Sequence, residues 1–365
     1  MSAEPRSRAA TATNGGARAL NRPTGLVFDE AFLAHRAPYE HPERPERLTA
    51  IRARLERESL FTACERVPAR PAEDAELLAI HGERLLATVA ATERLEFVQL
   101  DPDTYACRDT ARAARLAAGG LVDLTRRVLS GALANGIALL RPPGHHAEAD
   151  RIMGFCFFNN VAVAAAAARR DGARRILIVD WDLHHGNGTQ HSFWNDPDVL
   201  YFSTHQFPFY PGTGAVEEIG GPDARGRTVN VPWPPGCGDA EYLAAFDRVL
   251  LPIAERFDPD LVLVSCGFDA AAGDPLGAMR ISPAGYALMT ARLAPLARGR
   301  VVLALEGGYN LTAIARSAEA CLRVLLGEDA PDAAVGEPSA GARHVLEAVQ
   351  QIQRPHWPDA FGGAM

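Results

Sequence analysis

The densest group of metal-competent side chains in the sequence follows one short apolar run, residues 176–179. Asp180, Asp182, His184 and His185 come directly after this run. Its β-branched residues predict a buried strand of a parallel sheet, and ligands of such sheets bind outside the carboxyl ends of the strands. Asp182 and His184 are two residues apart, so they face the same way on an extended segment. A carboxylate and an imidazole that converge from one strand end suit a zinc ion.

A third candidate ligand follows a second apolar run, residues 261–265. Asp269 comes after this run, and Gly267 between them permits a tight turn. Three protein ligands leave a fourth position for water or substrate, which is the arrangement of catalytic zinc sites. A single aspartate at a strand end more often caps a helix. The three residues together favour a metal site formed by Asp182, His184 and Asp269.

Two adjacent histidines are candidates for acid–base chemistry. His145 and His146 follow a Pro-Pro-Gly turn that is stiff on one side and permissive on the other, so both rings can face one cavity. Imidazoles suit general acid–base catalysis because their pKa lies near neutral pH. A neighbouring acid or amide sets the tautomer of each ring, and Asp180 and Asn187 are candidates. The alternative is a structural pair that bonds to the backbone.

Aromatic residues beside glycines complete the set of candidates. Tyr309 in Glu-Gly-Gly-Tyr-Asn could donate its hydroxyl to a developing oxyanion, because the glycines let the backbone approach a ligand closely. Phe155 follows Gly154, Tyr210 precedes Pro-Gly, and both rings could wall a narrow apolar tunnel. The alternative for each ring is an aromatic that packs in a turn or anchors a loop.

Alternating strands and helices must position these residues. Apolar runs predict strands at 136–140, 176–179, 199–203, 228–231, 261–265 and 301–305. Helices are predicted at 44–58, 109–130, 160–170, 242–257, 283–297 and 312–326. This alternation indicates an α/β fold with a parallel sheet. Polar motifs follow five of the six strands, so their loops should converge at one sheet edge.

The composition is that of a globular protein, with 47% of the 365 residues hydrophobic and 22% charged. No Pro/Gly/Ser-rich linker interrupts the middle, so we predict one domain over residues 22–350, with a disordered tail at 1–21 and a C-terminal tail at 351–365. The first tail lacks the apolar segment of a signal peptide. No stretch of 18 apolar residues occurs, so no membrane attachment is expected.

Charge and cysteine usage limit the function classes further. A net charge of −8 argues against direct nucleic-acid binding, which requires a basic face, and it weakly favours a cationic partner or product. The six cysteines lack paired spacing, which favours reduced thiols and a cytoplasmic protein. The sequence contains no lysine, so no lysine side chain of this chain carries an acyl group.

Five motifs occur in one order along the chain: Arg-Pro-Pro-Gly-His-His, Asp-x-Asp-x-His-His-Gly-Asn-Gly-Thr, Tyr-Pro-Gly-Thr-Gly, Gly-Phe-Asp-x-x-x-x-Asp-Pro-Leu-Gly and Glu-Gly-Gly-Tyr-Asn. Together they resemble the zinc-dependent histone deacetylase and acetylpolyamine amidohydrolase superfamily. Residues 41–48, His-Pro-Glu-Arg-Pro-Glu-Arg-Leu, resemble its N-terminal loop motif. The resemblance covers about residues 24–330 and is closest to class II-like bacterial members. It implies the arginase/deacetylase α/β fold, a central, mainly parallel sheet with helices on both faces.

The resemblance also implies roles for individual residues. The zinc ligands would be Asp182, His184 and Asp269. The catalytic group would comprise His145, its partner Asp180, His146, Asn187 and the oxyanion donor Tyr309. The substrate tunnel would be lined by Phe155, Tyr210, Gly154 and Gly308. A potassium site would use, mostly through backbone oxygens, Asp180, Asp182, His184, Ser203 and Thr204. A second potassium would lie near Phe193, Asp196 and Val199.

The chain departs from parts of this superfamily at three places. Asn187 stands where class I members have an aspartate, as it does in class II members, and a neutral partner leaves His146 less basic. Tyr210 replaces a phenylalanine usual in eukaryotic members and could offer a hydroxyl at the tunnel mouth. The related arginases bind two manganese ions, but Asn187 and residues 270–272 lack the carboxylates for a second metal, so one zinc per chain is expected.

We therefore expect a zinc-dependent amidohydrolase that removes acetyl or other short acyl groups from acyl-lysine side chains or similar acylated amines. One alternative is an acetylpolyamine deacetylase, whose acidic gate would lie in residues 101–103 or 208–225. Another is a lysine deacylase for lactyl or longer acyl groups. A non-enzymatic binding module would be expected to have lost Tyr309 or a ligand. The expected partner is an acylated protein, peptide or polyamine rather than nucleic acid or membrane. The sequence is also compatible with a homo-oligomer.

Overall fold

A central sheet of eight parallel strands carries the candidate residues. The computed structural model describes residues 22–333 and 335–361. The strands are β1 (Thr24–Val27), β2 (Glu65–Arg66), β3 (Phe97–Asp101), β4 (Thr104–Cys107), β5 (Asn135–Ala138), β6 (Ile176–Asp180), β7 (Val199–Gln206), β8 (Thr228–Trp233), β9 (Leu261–Cys266) and β10 (Val301–Leu305). The sheet order is β2-β1-β5-β10-β9-β6-β7-β8, and all of its neighbours pair in parallel. β3 and β4 form a separate antiparallel hairpin.

Helices connect the strands of the sheet. They are α1 (Glu46–Arg57), α2 (Leu60–Ala63), α3 (Asp74–Leu77), α4 (Glu83–Ala91), α5 (Thr110–Leu129), α6 (Asn160–Arg170), α7 (Asn187–Ser192), α8 (Asp239–Ala245), α9 (Leu251–Phe257), α10 (Pro283–Leu293), α11 (Leu311–Leu325) and α12 (Ala340–Gln353). Short 3-10 helices lie at Glu30–Ala34, Thr92–Arg94 and Leu296–Gly299. The predicted α/β fold with its parallel sheet is confirmed.

The middle strands form the hydrophobic core. Every residue of β6, β9 and β10 is buried, which explains why these strands read as continuous apolar runs rather than alternating ones. The helices pack in two groups: α11 contacts both α1 and α10, and α5 contacts α6. The alanine-rich helix α6 begins at Asn160 because the Asn159 side chain accepts a hydrogen bond from the Ala162 N–H.

The structure differs from the predicted elements in several places. The single helix predicted over 242–257 is divided into α8 and α9 by a π-helical turn at Phe246–Leu250, just before Pro252, whose ring nitrogen cannot donate to the preceding turn. The β3–β4 hairpin was not predicted. Helix α12 crosses the predicted domain boundary at residue 350, and Trp357 beyond it packs against the Phe257 ring. The domain division itself stays a prediction.

Two further features bear on the class of protein. All six cysteines are free and buried. In the described part of the chain, no helix combines the length and the apolar character that a membrane crossing requires. The tail predicted at residues 1–21 lies outside the described residues.

Candidate active site

The three candidate metal ligands meet at the carboxyl end of the sheet. Asp182 and His184 follow β6, and Asp269 follows the neighbouring strand β9. One donor atom from each residue lies within 4.8 Å of the other two. Both carboxylates are fully buried. The His184 Nδ1 atom lies 3.2 Å from an oxygen of each aspartate, so all three donors face one small volume.

Two glycines make this close approach possible. A Cβ atom at Gly267 would lie 2.0 Å from Asp182 Oδ2, and one at Gly307 would lie 2.2 Å from Asp269 Oδ2. The Gly307 N–H also donates to Asp182 Oδ2 at 2.8 Å. Any side chain at either position would displace the carboxylates. We conclude that glycine is required here for space, whereas a tight turn was the reason expected at Gly267.

Burial and close packing shift the pKa values of the ligands. Burial and the neighbouring Asp182 carboxylate raise the pKa of Asp269 to about 7. Burial alone would lower the pKa of His184, but the two carboxylates raise it to about 9. Both shifts arise because two carboxylates and one imidazole are packed into the same small buried volume. Two carboxylates and one imidazole whose donor atoms lie this close together are a donor set that fits Zn²⁺.

The adjacent histidines lie beside the ligands and have different partners. His145 Nδ1 is 3.1 Å from Asp180 Oδ2, which also accepts a hydrogen bond from the Tyr201 hydroxyl. His146 Nδ1 is 2.7 Å from Asn187 Oδ1. The two ring centroids are 4.0 Å apart. Both rings are therefore held by side chains, and the alternative of a purely backbone-bonded pair does not apply.

These partners give the two histidines opposite protonation. Burial would lower the pKa of His145, but the charges of Asp182 and Asp180 outweigh burial and raise it to about 10. Burial and the neighbouring cationic rings of His145 and His184 lower the pKa of His146 well below its usual value. One ring is thus an imidazolium and the other a neutral base.

A narrow cavity of about 90 Å³ opens onto these groups. Its lining residues are Asp103, Pro143, His145, His146, Gly154, Phe155, His184, Tyr210, Leu276, Gly307 and Tyr309. The Phe155 and Tyr309 rings are 5.9 Å apart, and the Tyr210 ring stands edge-on to His146. Gly154 has a φ of +57°, and a Cβ there would lie 2.4 Å from the His146 ring. The cavity is therefore a slot with aromatic walls.

The structure separates other predicted site residues from this cavity. Gly307 lines the wall rather than Gly308, because Gly308 faces the side chains of Phe268 and Ile314. Asp180 and Ser203 are cross-strand neighbours of β6 and β7, and Thr204 follows Ser203. Phe193, Asp196 and Val199 lie together on a turn in which the Phe193 carbonyl accepts from Asp196 and the Asp196 carbonyl accepts from Val199. Both potassium sites stay predictions.

Residues that sequence reasoning left without a role support the histidine turn. The Glu306 carboxylate accepts hydrogen bonds from the Gly144 and His145 N–H groups at 2.6 and 3.2 Å. Arg47 donates to the carbonyls of Glu306 and Gly308, and Arg141 pairs with Glu43. Each of these residues lies within a quoted motif. The motifs therefore contain these residues, but a motif does not show which of its members line a cavity and which support it.

The fold and site together define a family. A model of the histone deacetylase domain matches residues 41–325, and the chain belongs to the histone deacetylase domain family. Histone deacetylase 15 of Arabidopsis thaliana is 46% identical over 357 residues, which cover 94% of this chain and 64% of the relative. The polyamine deacetylase HDAC10 of Homo sapiens is 43% identical over 361 residues, covering 92% of this chain and 53% of the relative.

A solved structure agrees with this assignment. The crystal structure of the HDA15 HD domain superposes with a TM-score of 0.88 at 46% identity, covering 92% of this chain and 98% of that chain. The chain spans 40–64% of the length of the curated relatives that it matches. The similarity therefore covers the histone deacetylase domain of those relatives and not their whole length.

Proposed function

We propose that this chain is a zinc-dependent deacylase that hydrolyses the amide bond of acyl-lysine side chains. The observation that carries this proposal is one cavity of about 90 Å³ that is lined by His184, His146 and Tyr309. His184 is the ligand that faces the cavity, and it contacts the other two ligands, Asp182 and Asp269. Asp182, His184 and Asp269 would hold one zinc ion. When bound, zinc would polarise the acyl carbonyl and increase the acidity of an attacking water.

The remaining steps belong to the side chains. His146 is neutral, its Nδ1 faces Asn187, and its Nε2 is the nitrogen left to accept a proton from water and return it to the leaving amine. His145, held by Asp180, supplies positive charge beside the reacting atoms. Burial raises the pKa of Tyr309 well above its usual value, so its hydroxyl stays protonated and donates to the developing oxyanion.

The cavity walls favour an acyl-lysine arm over a polyamine. Phe155, Tyr210 and Leu276 present apolar surface that suits a chain of methylene groups. One lining carboxylate, Asp103, keeps an acetylpolyamine as the second candidate. Its Oδ1 already accepts hydrogen bonds from the Thr104 hydroxyl at 2.6 Å and the Gly154 N–H at 3.2 Å. These two bonds engage Oδ1, so Oδ2 is the oxygen that would face a cationic amine.

Several finer assignments belong to the same proposal. We propose a class II-like member, supported by Asn187 beside His146. The relatives reported above are from a plant and an animal, so they give no support to a bacterial origin. A cytoplasmic location is supported by six free cysteines. Potassium beside Asp180 and Ser203, an acylated protein or peptide as partner, and the oligomeric state are likewise proposals.

A panel of substrates tests this function. Lysine peptides carrying acetyl, lactyl or longer acyl groups and acetylated polyamines are incubated with the zinc-loaded protein, and the released amine is measured. We expect turnover of short acyl-lysine peptides with a kcat/KM above that of every polyamine. Preference for acetylpolyamines would establish the second candidate, and no turnover of any substrate would contradict deacylase function.

A further inference from the structure

A chain of hydrogen bonds leads from the active-site histidine to the protein surface. His146 Nδ1 faces Asn187 Oδ1 at 2.7 Å, and Asn187 Nδ2 faces Glu148 Oε1 at 2.5 Å. Glu148 is in turn bound by His191 Nδ1 at 2.8 and 3.0 Å. His146 lines the cavity and His191 is half exposed, so the chain spans the wall of the site.

The partners of Asn187 fix which way its amide points. Its Nδ2 faces the Glu148 carboxylate, the His146 carbonyl at 3.4 Å and the Met153 sulfur at 3.6 Å. All three are acceptors, and an ionised carboxylate has no hydrogen to donate. A flipped amide would place its oxygen against the Glu148 carboxylate, with repulsion in place of a charge-assisted bond. The Asn187 oxygen must therefore face His146.

This orientation dictates the tautomer of His146. An amide oxygen is an acceptor only, so the His146 Nδ1 atom must carry the hydrogen. The neutral ring then has an unprotonated Nε2, the nitrogen that the proposed reaction needs as a base. We propose that Glu148 is a positioning residue: it fixes the Asn187 amide and, through it, the Nδ1–H tautomer of His146. This inference rests on the proposed function for its catalytic consequence, although not for the tautomer itself.

Glu148 is built to hold its position. Asn187 and His191 lie one turn apart on α7, so both side chains reach the same carboxylate. The Glu148 backbone is fixed at both ends, because its N–H donates to the Arg151 carbonyl and its own carbonyl accepts from His81 Nδ1 at 2.9 Å. Glu148 does not line the cavity, so its effect on turnover must pass through Asn187.

The test combines imidazole ¹⁵N NMR of the zinc-loaded protein with kinetics of two variants. In the wild-type spectrum we expect His146 to show a protonated Nδ1 and an unprotonated Nε2. In Glu148→Leu, which removes the acceptor, we expect loss of this single tautomer and a kcat about 10–100-fold lower, the usual cost of losing such a supporting partner. KM and zinc content should stay at their wild-type values. Glu148→Gln keeps an oxygen for Asn187 Nδ2 and should restore most of kcat.

Glu319→Leu is the matched control, since it removes another little-exposed carboxylate, on α11, paired with Arg54 and Arg323. It should alter thermal stability but neither kcat nor the His146 spectrum. An Nε2–H tautomer in the wild type, or a Glu148→Gln variant as slow as Glu148→Leu, would overturn the inference. An Nε2–H tautomer in the wild type overturns the inference even if Glu148→Leu fails to fold. If the wild type shows the expected tautomer and Glu148→Leu loses it, but the wild type hydrolyses no acylated amine, the proposed function fails and the positioning role of Glu148 stands.

Discussion

Two buried clusters of charge lie beside the same cavity and are neutralised in different ways. The ligand cluster consists of Asp182, His184 and Asp269, and in the described part of the chain the ion pairs of its aspartates run only to histidines. The arginine cluster consists of Glu43, Arg47 and Arg141, all fully buried, with Glu43 paired to both guanidinium groups. The carboxylates of the ligand cluster thus face imidazoles, whereas the carboxylate of the arginine cluster faces two guanidinium groups.

The remaining polar atoms strengthen this contrast. Arg141 donates to the carbonyls of Phe32 and His35, and Arg47 to those of Glu306 and Gly308, so the arginine cluster is complete within the protein. The ligand cluster instead holds two carboxylates a few ångströms apart, each of which faces the His184 imidazole and accepts a hydrogen bond from a backbone N–H group. We infer that the arginine cluster is part of the scaffold, whereas the three convergent donor groups of the ligand cluster form a candidate metal site.

The largest expected effect comes from the ligand cluster. Asp182→Ala or Asp269→Ala should abolish both zinc binding and turnover, because two remaining donors hold zinc poorly. His146→Ala is the contrasting variant, since it should keep zinc and lose turnover. Metal analysis by mass spectrometry together with the deacylase assay checks this. Equal loss of zinc in all three variants would mean that ligand and base roles cannot be separated.

In the arginine cluster, removing one partner should destabilise the fold rather than the chemistry. Glu43→Ala leaves Arg47 and Arg141 buried without their shared carboxylate, which typically costs about 3–5 kcal/mol. The free energy of unfolding from urea titrations measures this. Asp247→Ala is the control, because its pair with Arg292 is exposed and should contribute less than about 1 kcal/mol. Similar values for both variants would show that Glu43 is not needed for charge compensation.

Tyr309 contacts the arginine cluster and lines the cavity, and replacing it tests whether it acts in catalysis or in substrate binding. The Arg47 guanidinium lies over the Tyr309 ring at 4.9 Å from its centroid, and Tyr309 also lines the cavity. Tyr309→Phe should keep the fold and zinc but lower kcat about 10²–10³-fold, equivalent to roughly 3–4 kcal/mol of lost oxyanion stabilisation. Steady-state kinetics with an acetyl-lysine peptide measures both parameters. A wild-type kcat with only a raised KM would instead make Tyr309 a residue of the binding rim.

The smallest expected effect is the acid sensitivity of the arginine cluster. Burial would raise the pKa of Glu43, but Arg141 outweighs burial and lowers it from 4.5 to about 2. A carboxylate with a lowered pKa in the folded state stabilises the fold above its unfolded pKa, and this contribution is lost as pH falls from about 4.5 to about 2. Glu43→Gln should therefore show a weaker pH dependence of unfolding in this window than wild type. An identical dependence would assign the acid sensitivity to other groups.

The core elements were predictable because their patterns are local. The helix at 160–170 and the strand at 301–305 match α6 and β10 residue for residue, since an alanine-rich helix and a fully buried β-branched strand have unmistakable patterns. The short strand β1 and the hairpin β3–β4 were missed, because four or five residues carry little periodicity. The loop between β3 and β4 mattered most, since it supplies Asp103 to the cavity.

The site was predictable in its residues but less so in their contacts. Motif spacing placed Asp182, His184 and Asp269 at one sheet edge, where the structure brings them together. Motif spacing did not show that Gly307 rather than Gly308 lines the cavity wall. Which glycine faces the cavity depends on the backbone conformation at Gly308, whose φ is +116°. Glu148 and His191 carry no signal of their own. Their link to His146 arises only from folding, through one face of α7.

The central claim is that turnover depends on an ion held by Asp182, His184 and Asp269. The most direct measurement removes metal with a chelator, verifies its absence, and follows hydrolysis of an acetyl-lysine peptide as zinc is added back. We expect no hydrolysis by the metal-free protein and full recovery at one zinc per chain, with a hydroxamate blocking the recovered activity. Undiminished hydrolysis by the verified metal-free protein would contradict the claim.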